Sequence, residues 1–172
     1  FKKMKNTDNL KNFVANLHQS TKRDHLGRMI NDKVDCMNVA RKFEYDFWDG
    51  DRKHGYGGHK YISERWKPFA INLIETYDLN SNSHVLDVGC GKGYILYELK
   101  KLIPKIKICG FDISKYAIDN SKNEIKDYLF LHDAGKKFPF GDKEFDLTFT
   151  LATLHNLKID QLSISLNEIE RV

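Results

Sequence analysis

Three glycines spaced two apart follow an apolar run that carries an acid: Val85-Leu86-Asp87-Val88-Gly89-Cys90-Gly91-Lys92-Gly93-Tyr94. Glycines at this spacing let the backbone bend sharply and approach a ligand without Cβ interference. A helix starting at Tyr94 would add free N–H groups and the positive end of a dipole. In open α/β sheets, ligands bind outside the carboxyl ends of the strands. A dinucleotide site requires G-x-G-x-x-G, with room for a pyrophosphate against the helix; the spacing here is G-x-G-x-G. Two more acids stand at comparable places. Asp112, in Phe111-Asp112-Ile113-Ser114, follows Gly89 by 23 residues, where a carboxylate accepts hydrogen bonds from two vicinal ribose hydroxyls. Asp133 lies in His132-Asp133-Ala134, ahead of Phe138-Pro139-Phe140-Gly141-Asp142-Lys143-Glu144-Phe145-Asp146. Taken singly, Asp87 also reads as a solvated strand-end acid and Asp133 as a turn cap.

In order and spacing, the three stretches resemble the motifs of class I (Rossmann-like) S-adenosylmethionine-dependent methyltransferases, of the methyltransferase type 11 kind, over about residues 64–172. The resemblance implies S-adenosyl-L-methionine as cofactor and S-adenosyl-L-homocysteine as its product. It implies a cofactor set of Asp87, Gly89, Cys90, Gly91, Gly93, Asp112, Ile113, Asp133, Ala134 and Thr150. In that set Asp87 faces the methionine portion, Asp112 the ribose and Asp133 the adenine amino group, with the Ala134 N–H at a ring nitrogen. The segment 150–157 would lie near the transferable methyl. There His155 is the candidate catalytic residue, taking a proton from the acceptor or hydrogen-bonding it. Its alternative role is to hold the loop by a backbone hydrogen bond. The implied strand order is 3-2-1-4, part of a seven-stranded sheet, so the chain is expected to stop before strands five to seven and the native protein to continue.

Alternating strand and helix patterns from residue 83 onward would position these groups, as in a parallel α/β sheet with helices on both faces. Strands are expected over 84–88, 106–111, 128–131 and 145–150. Helices are expected over 94–103, stopped by Pro104; from a Ser114 cap to about residue 127; and over 160–170, with Leu162, Leu166 and Ile169 on one face. Upstream, Ser63 caps an expected helix over 64–78 with Phe69, Leu73 and Ile74 buried. Residues 1–42 read as a helical extension, with Leu10, Phe13, Val14 and Leu17, then Val34, Met37 and Ala40, at helical spacing. Residues 43–61, rich in aromatics, glycine, histidine and charge, read as an irregular loop. The chain therefore divides into an extension with a lid segment over 1–62 and a cofactor-binding domain over 63–172. Tyr56, among Gly55, Gly57 and Gly58, is expected to act as the lid, since an aromatic face near a sulfonium gains cation–π attraction. Arg65 would pair with the cofactor carboxylate, Trp66 would pack, and Lys92 would be solvated.

Composition narrows the function. The net charge of +4 is concentrated in residues 1–35, which hold eight Lys/Arg against four acids. That arm lacks dense arginine clusters and interleaved aromatics, so nucleic acid is the lesser option. No apolar run approaches the roughly 20 residues of a membrane span, and no secretory signal is read at the N-terminus. Cys36, Cys90 and Cys109 form no CxxC pair, which argues against disulfides and metal and for a reducing, cytoplasmic setting. No (N/D)PP(Y/F) follows strand four and no Pro-Cys pair marks a cytosine nucleophile. The expected activity is methyl transfer to a small-molecule acceptor. The alternatives are an RNA-modifying methyltransferase, a non-catalytic cofactor-binding module and, against the glycine spacing, an NAD-dependent reductase.

Overall fold

The computed structural model describes residues 12–14 and 33–172. Of the expected N-terminal helix, α1 (Lys33–Ala40) is present. Phe13 and Val14 lie in a bend, and the remainder falls outside the described residues. The apolar spacing in α1 does not mark a core face: Val34 and Met37 are exposed, and no residue of the helix is buried. The aromatic stretch is more ordered than its composition suggests. It opens with a helical turn, α2 (Tyr45–Trp48), whose Trp48 is buried. α3 (Lys67–Tyr77) begins later than expected, and Ser63 does not cap it. Pro68 sits in its first turn, where a missing N–H costs nothing. Residues 63–65 form a turn instead, with Glu64 at φ 66°.

The sheet follows. β1 (His84–Val88), α4 (Tyr94–Leu102), β2 (Lys107–Asp112), α5 (Lys115–Asp119), β3 (Leu129–Leu131), β4 (Leu147–Phe149) and α6 (Ile159–Arg171) come in that order. All four strands are parallel, ordered β3-β2-β1-β4. Period-two alternation sends Val85 and Ile108 into one apolar cluster with α3 and α4. Leu86, Val88 and Phe111 enter a second cluster on the other face, closed by Phe138 and Val172. Helices thus cover both faces.

Ser114 caps α5 as expected, accepting from the Ala117 N–H, but α5 stops at Asp119 rather than near residue 127. Asn120 is its C-cap: its backbone N–H and its side chain both donate to the Tyr116 carbonyl, the side chain at 2.9 Å. On α6 the inward positions are Ser165 and Ile169, with Val172 following at its cap; Leu166, expected on the buried face, is 50% exposed. The helix is drawn in at its end by Arg171, which binds the Phe140 carbonyl and Asp142, and by Glu168, which accepts from the Phe138 N–H.

Candidate functional site

Asp87 and Asp112 project from the same face of the sheet, because β1 and β2 pair with Asp87 opposite Gly110 and Asp112 lies two residues further on. Both carboxylates are buried. Among the described residues no hydrogen bond satisfies Asp87, and burial, then the Asp112 charge, push its carboxyl well above the usual range. Asp112 accepts from the Gly91 and Ser114 N–H groups, each at 2.8 Å. Burial raises its carboxyl too, against the pull of those bonds. Each of its oxygens keeps a second lone pair.

The glycine loop has already engaged most of its donors. Gly89 and Cys90 N–H groups both donate to the Phe111 carbonyl at 2.9 Å, Gly91 N–H to Asp112, and Gly93 N–H to the Cys90 carbonyl. A pyrophosphate here would find two buried acids and few free N–H groups. A cationic group on a ligand would instead favour the ionised form of these acids and balance its charge. The residues therefore fit a cofactor with a cationic aminoacyl end. The glycines also serve a purpose other than ligand approach. Gly89 (φ 78°) and Gly91 (φ 56°) adopt left-handed conformations, and a Cβ there would lie 2.1 Å from Thr153 Oγ1 and 2.6 Å from the Trp48 ring. The vacated space is filled by the protein. Cys90 packs its side chain toward Gly110, and burial keeps its thiol protonated.

Lys92, expected in solvent, is buried. Its ammonium donates to Asp49 Oδ2 at 2.7 Å and to the His59 carbonyl at 3.0 Å. Tyr116 donates to the same Asp49 oxygen at 2.7 Å, and the His59 N–H to the other at 2.9 Å. Burial raises the Asp49 carboxyl, but these bonds outweigh it and hold it below the usual range; the Tyr116 phenol is pushed up to about 12. Trp48 Nε1 donates to Ser114 Oγ at 2.9 Å. Tyr56 stacks on Trp48 with centroids 5.3 Å apart, and the close approach at Gly55 is to the Phe47 backbone. The ring against the glycine loop is therefore Trp48, with Tyr56 outside it. His59 lies between Tyr56 and Tyr94; burial, Lys92 and Arg65 lower its pKa to about 4. Arg65 itself is exposed beside it, and Trp66 packs edge-on against Phe69.

The remaining expected residues lie around this centre. Ile113 stands exposed next to Asp112. Asp133 accepts from the Gly135 N–H at 2.8 Å as a turn cap, and Ala134 is buried behind it. Thr150 Oγ1 donates to the Val88 carbonyl at 2.8 Å, fastening the end of β4 to β1. His155 is exposed on a single 3-10 turn, Leu154–Asn156. Sequence reasoning missed Asp49, Lys92, Tyr116 and Thr153. The only signal for them was Lys92 inside the glycine motif. Among the described residues no cluster of His, Cys, Asp and Glu could hold a metal ion, and no helix is long and apolar enough to cross a membrane.

A family model for a methyltransferase domain matches residues 85–172, just over half of the chain. The chain belongs to that family. This methyltransferase domain is 34% identical over 103 residues to a tRNA U34 carboxymethyltransferase of Nautilia profundicola, covering 56% of this chain and 33% of that protein. It is 29% identical over 101 residues to a malonyl-[acyl-carrier protein] O-methyltransferase of Bacillus anthracis, covering 54% and 37%. The chain thus spans about a third of the length of these relatives. Its fold is shared with an S-adenosylmethionine-dependent methyltransferase assignment from Methanococcus maripaludis, at TM-score 0.54 and 20% identity, covering 62% of this chain and 49% of that one. The [4+2]-cyclase SpnF shares the fold at TM-score 0.54 and 21% identity, covering 62% and 40%. Family and fold together imply S-adenosyl-L-methionine as the cofactor.

Proposed function

We propose that this chain transfers the methyl group of S-adenosylmethionine to a small-molecule acceptor. The observation that carries the reading is the pair of buried acids at the strand ends, Asp87 without a bond and Asp112 with lone pairs to spare, beside a loop whose N–H groups are engaged. When bound, the cofactor supplies an electrophilic methyl on a sulfonium. The protein's part is alignment and exclusion of water. Asp87 would balance the cationic aminoacyl end, Asp112 would accept from the ribose hydroxyls, and Ile113, Asp133 and Ala134 would frame the adenine. Gly89, Cys90, Gly91 and Gly93 would supply the floor, and Thr150 would fix the strand end beside it. His155, exposed at the rim, would take or hold the acceptor proton, and Arg65 would reach the cofactor carboxylate. The division into 1–62 and 63–172 belongs to the same proposal.

The two relatives bear names for different acceptors, a tRNA and a carrier-bound malonyl group. The small-molecule reading rests on residues 36–172, whose basic and acidic groups balance and offer no phosphate-binding surplus. Calorimetric titration with S-adenosylhomocysteine and NAD tests the cofactor: binding of the first alone is expected. Methyl transfer from labelled cofactor to RNA, falling steeply with salt, would replace the small-molecule acceptor by RNA. Cofactor binding without transfer to any acceptor class would reduce the chain to a binding module.

A further inference from the structure

We propose that Asp49 and Lys92 are a positioning pair, clamping residues 44–61 onto the glycine loop and so setting the backbone on which the cofactor rests. The inference rests on S-adenosylmethionine being the ligand of that loop. Lys92 is the charged side chain within the loop, and its side chain is 4% exposed. An ammonium so buried requires a matched charge, and Asp49, 43 residues upstream, provides it at 2.7 Å. Asp49 is itself fixed from two further directions, by the Tyr116 hydroxyl on α5 and by the His59 N–H. A single carboxylate therefore joins the loop after β1 to the helix after β2. Those two elements follow directly on the strands that carry Asp87 and Asp112.

Trp48 makes the same span with neutral contacts, its ring over Gly91 and its indole N–H on Ser114. The charged link adds direction. Lys92 is flanked by Gly91 (φ 56°) and Gly93 (φ 70°), residues with the widest backbone freedom. Tethering the side chain between them removes that freedom before the ligand arrives, which is preorganisation. Neither partner needs to touch the sulfonium or the acceptor.

The test compares Asp49→Asn, Lys92→Met and the double variant in the full chain. S-adenosylhomocysteine affinity is measured by calorimetry, and the amide resonances of Gly89, Gly91 and Gly93 are recorded without cofactor. Each single change is expected to weaken binding about tenfold, and the double change to be no worse than the weaker single, because both break one link. The glycine resonances are expected to shift in all three. Should the charge variants not fold, Tyr116→Phe removes one bond to Asp49 and is expected to shift the same resonances less. A lowered melting temperature with unchanged affinity and unchanged glycine resonances makes the pair merely structural and overturns the proposal. Shifted resonances in a protein whose parent binds no S-adenosylhomocysteine overturn the cofactor reading instead, with the clamp left standing.

Discussion

Asp87 is the residue whose ionisation the fold opposes most plainly. Its carboxyl is raised by burial and by Asp112, so the folded chain keeps a proton that the unfolded chain gives up above about pH 3.9. Its contribution to stability is therefore best below that value and falls as pH rises through the folded pKa. A bound cation reverses the balance by favouring the carboxylate. Cofactor binding is expected to release a proton, seen as a dependence of calorimetric heat on buffer ionisation enthalpy that Asp87→Asn removes. At Asp112, substitution by alanine is expected to cost about 1–3 kcal/mol of S-adenosylhomocysteine affinity, the scale of a hydrogen bond to a charged group; unchanged affinity would remove it from the ribose. His59 has the opposite sign. Its pKa is lowered to about 4, so its contribution is fully present above about pH 6.5 and is lost as pH falls toward 4. The melting temperature should drop across that window, and His59→Phe should flatten the drop. The acids and glycines were legible in the sequence because a strand-end acid and a glycine spacing are local patterns. The Asp49–Lys92 bond spans 43 residues, and neither residue's own neighbourhood announces the other.

The elements separate in the same way. The four strands were legible to within a residue or two because each is a short apolar-rich run between turn signals, with β1 and β2 largely buried. Helix ends were less so, since they depend on particular residues: Pro68 stands in the first turn of α3, and Asn120 caps the end of α5. Beyond its one helical turn the aromatic segment is irregular, as read; what its composition hides is that its own rings and backbone tie it together and that it is bonded to the glycine loop and α5. Trp48 is its anchor, buried and bonded to Ser114 and to the Phe43 carbonyl. Replacement by alanine is expected to cost about 3–5 kcal/mol of stability through the cavity it opens. Urea unfolding followed by circular dichroism measures this; a loss below 1 kcal/mol would mean that the segment is held elsewhere.

At the scale of the molecule, β4 pairs only with β1 among the described residues and is an edge. Beside it runs an open cleft of about 460 Å³ lined by Phe13, Val14, Leu73, Tyr77, Phe149 and Leu151. Ile159, Ile164 and Leu166 add exposed apolar surface on α6. An unpaired edge with apolar surroundings invites association, so the average mass of the 172-residue chain in sedimentation is expected to rise with concentration. A constant monomer mass would show that the edge is shielded. The interlocked glycine loop has a further, temporal consequence. Its conformation is secured by Trp48 from before β1 and Thr153 from after β4, and the bonds that carry this, Trp48 to Ser114 and Thr153 to Gly89, close over 66 and 64 residues. Contacts that distant in sequence form slowly. During refolding, helical circular dichroism should therefore recover first, and the capacity to capture S-adenosylhomocysteine only later, in step with the burial of Trp48.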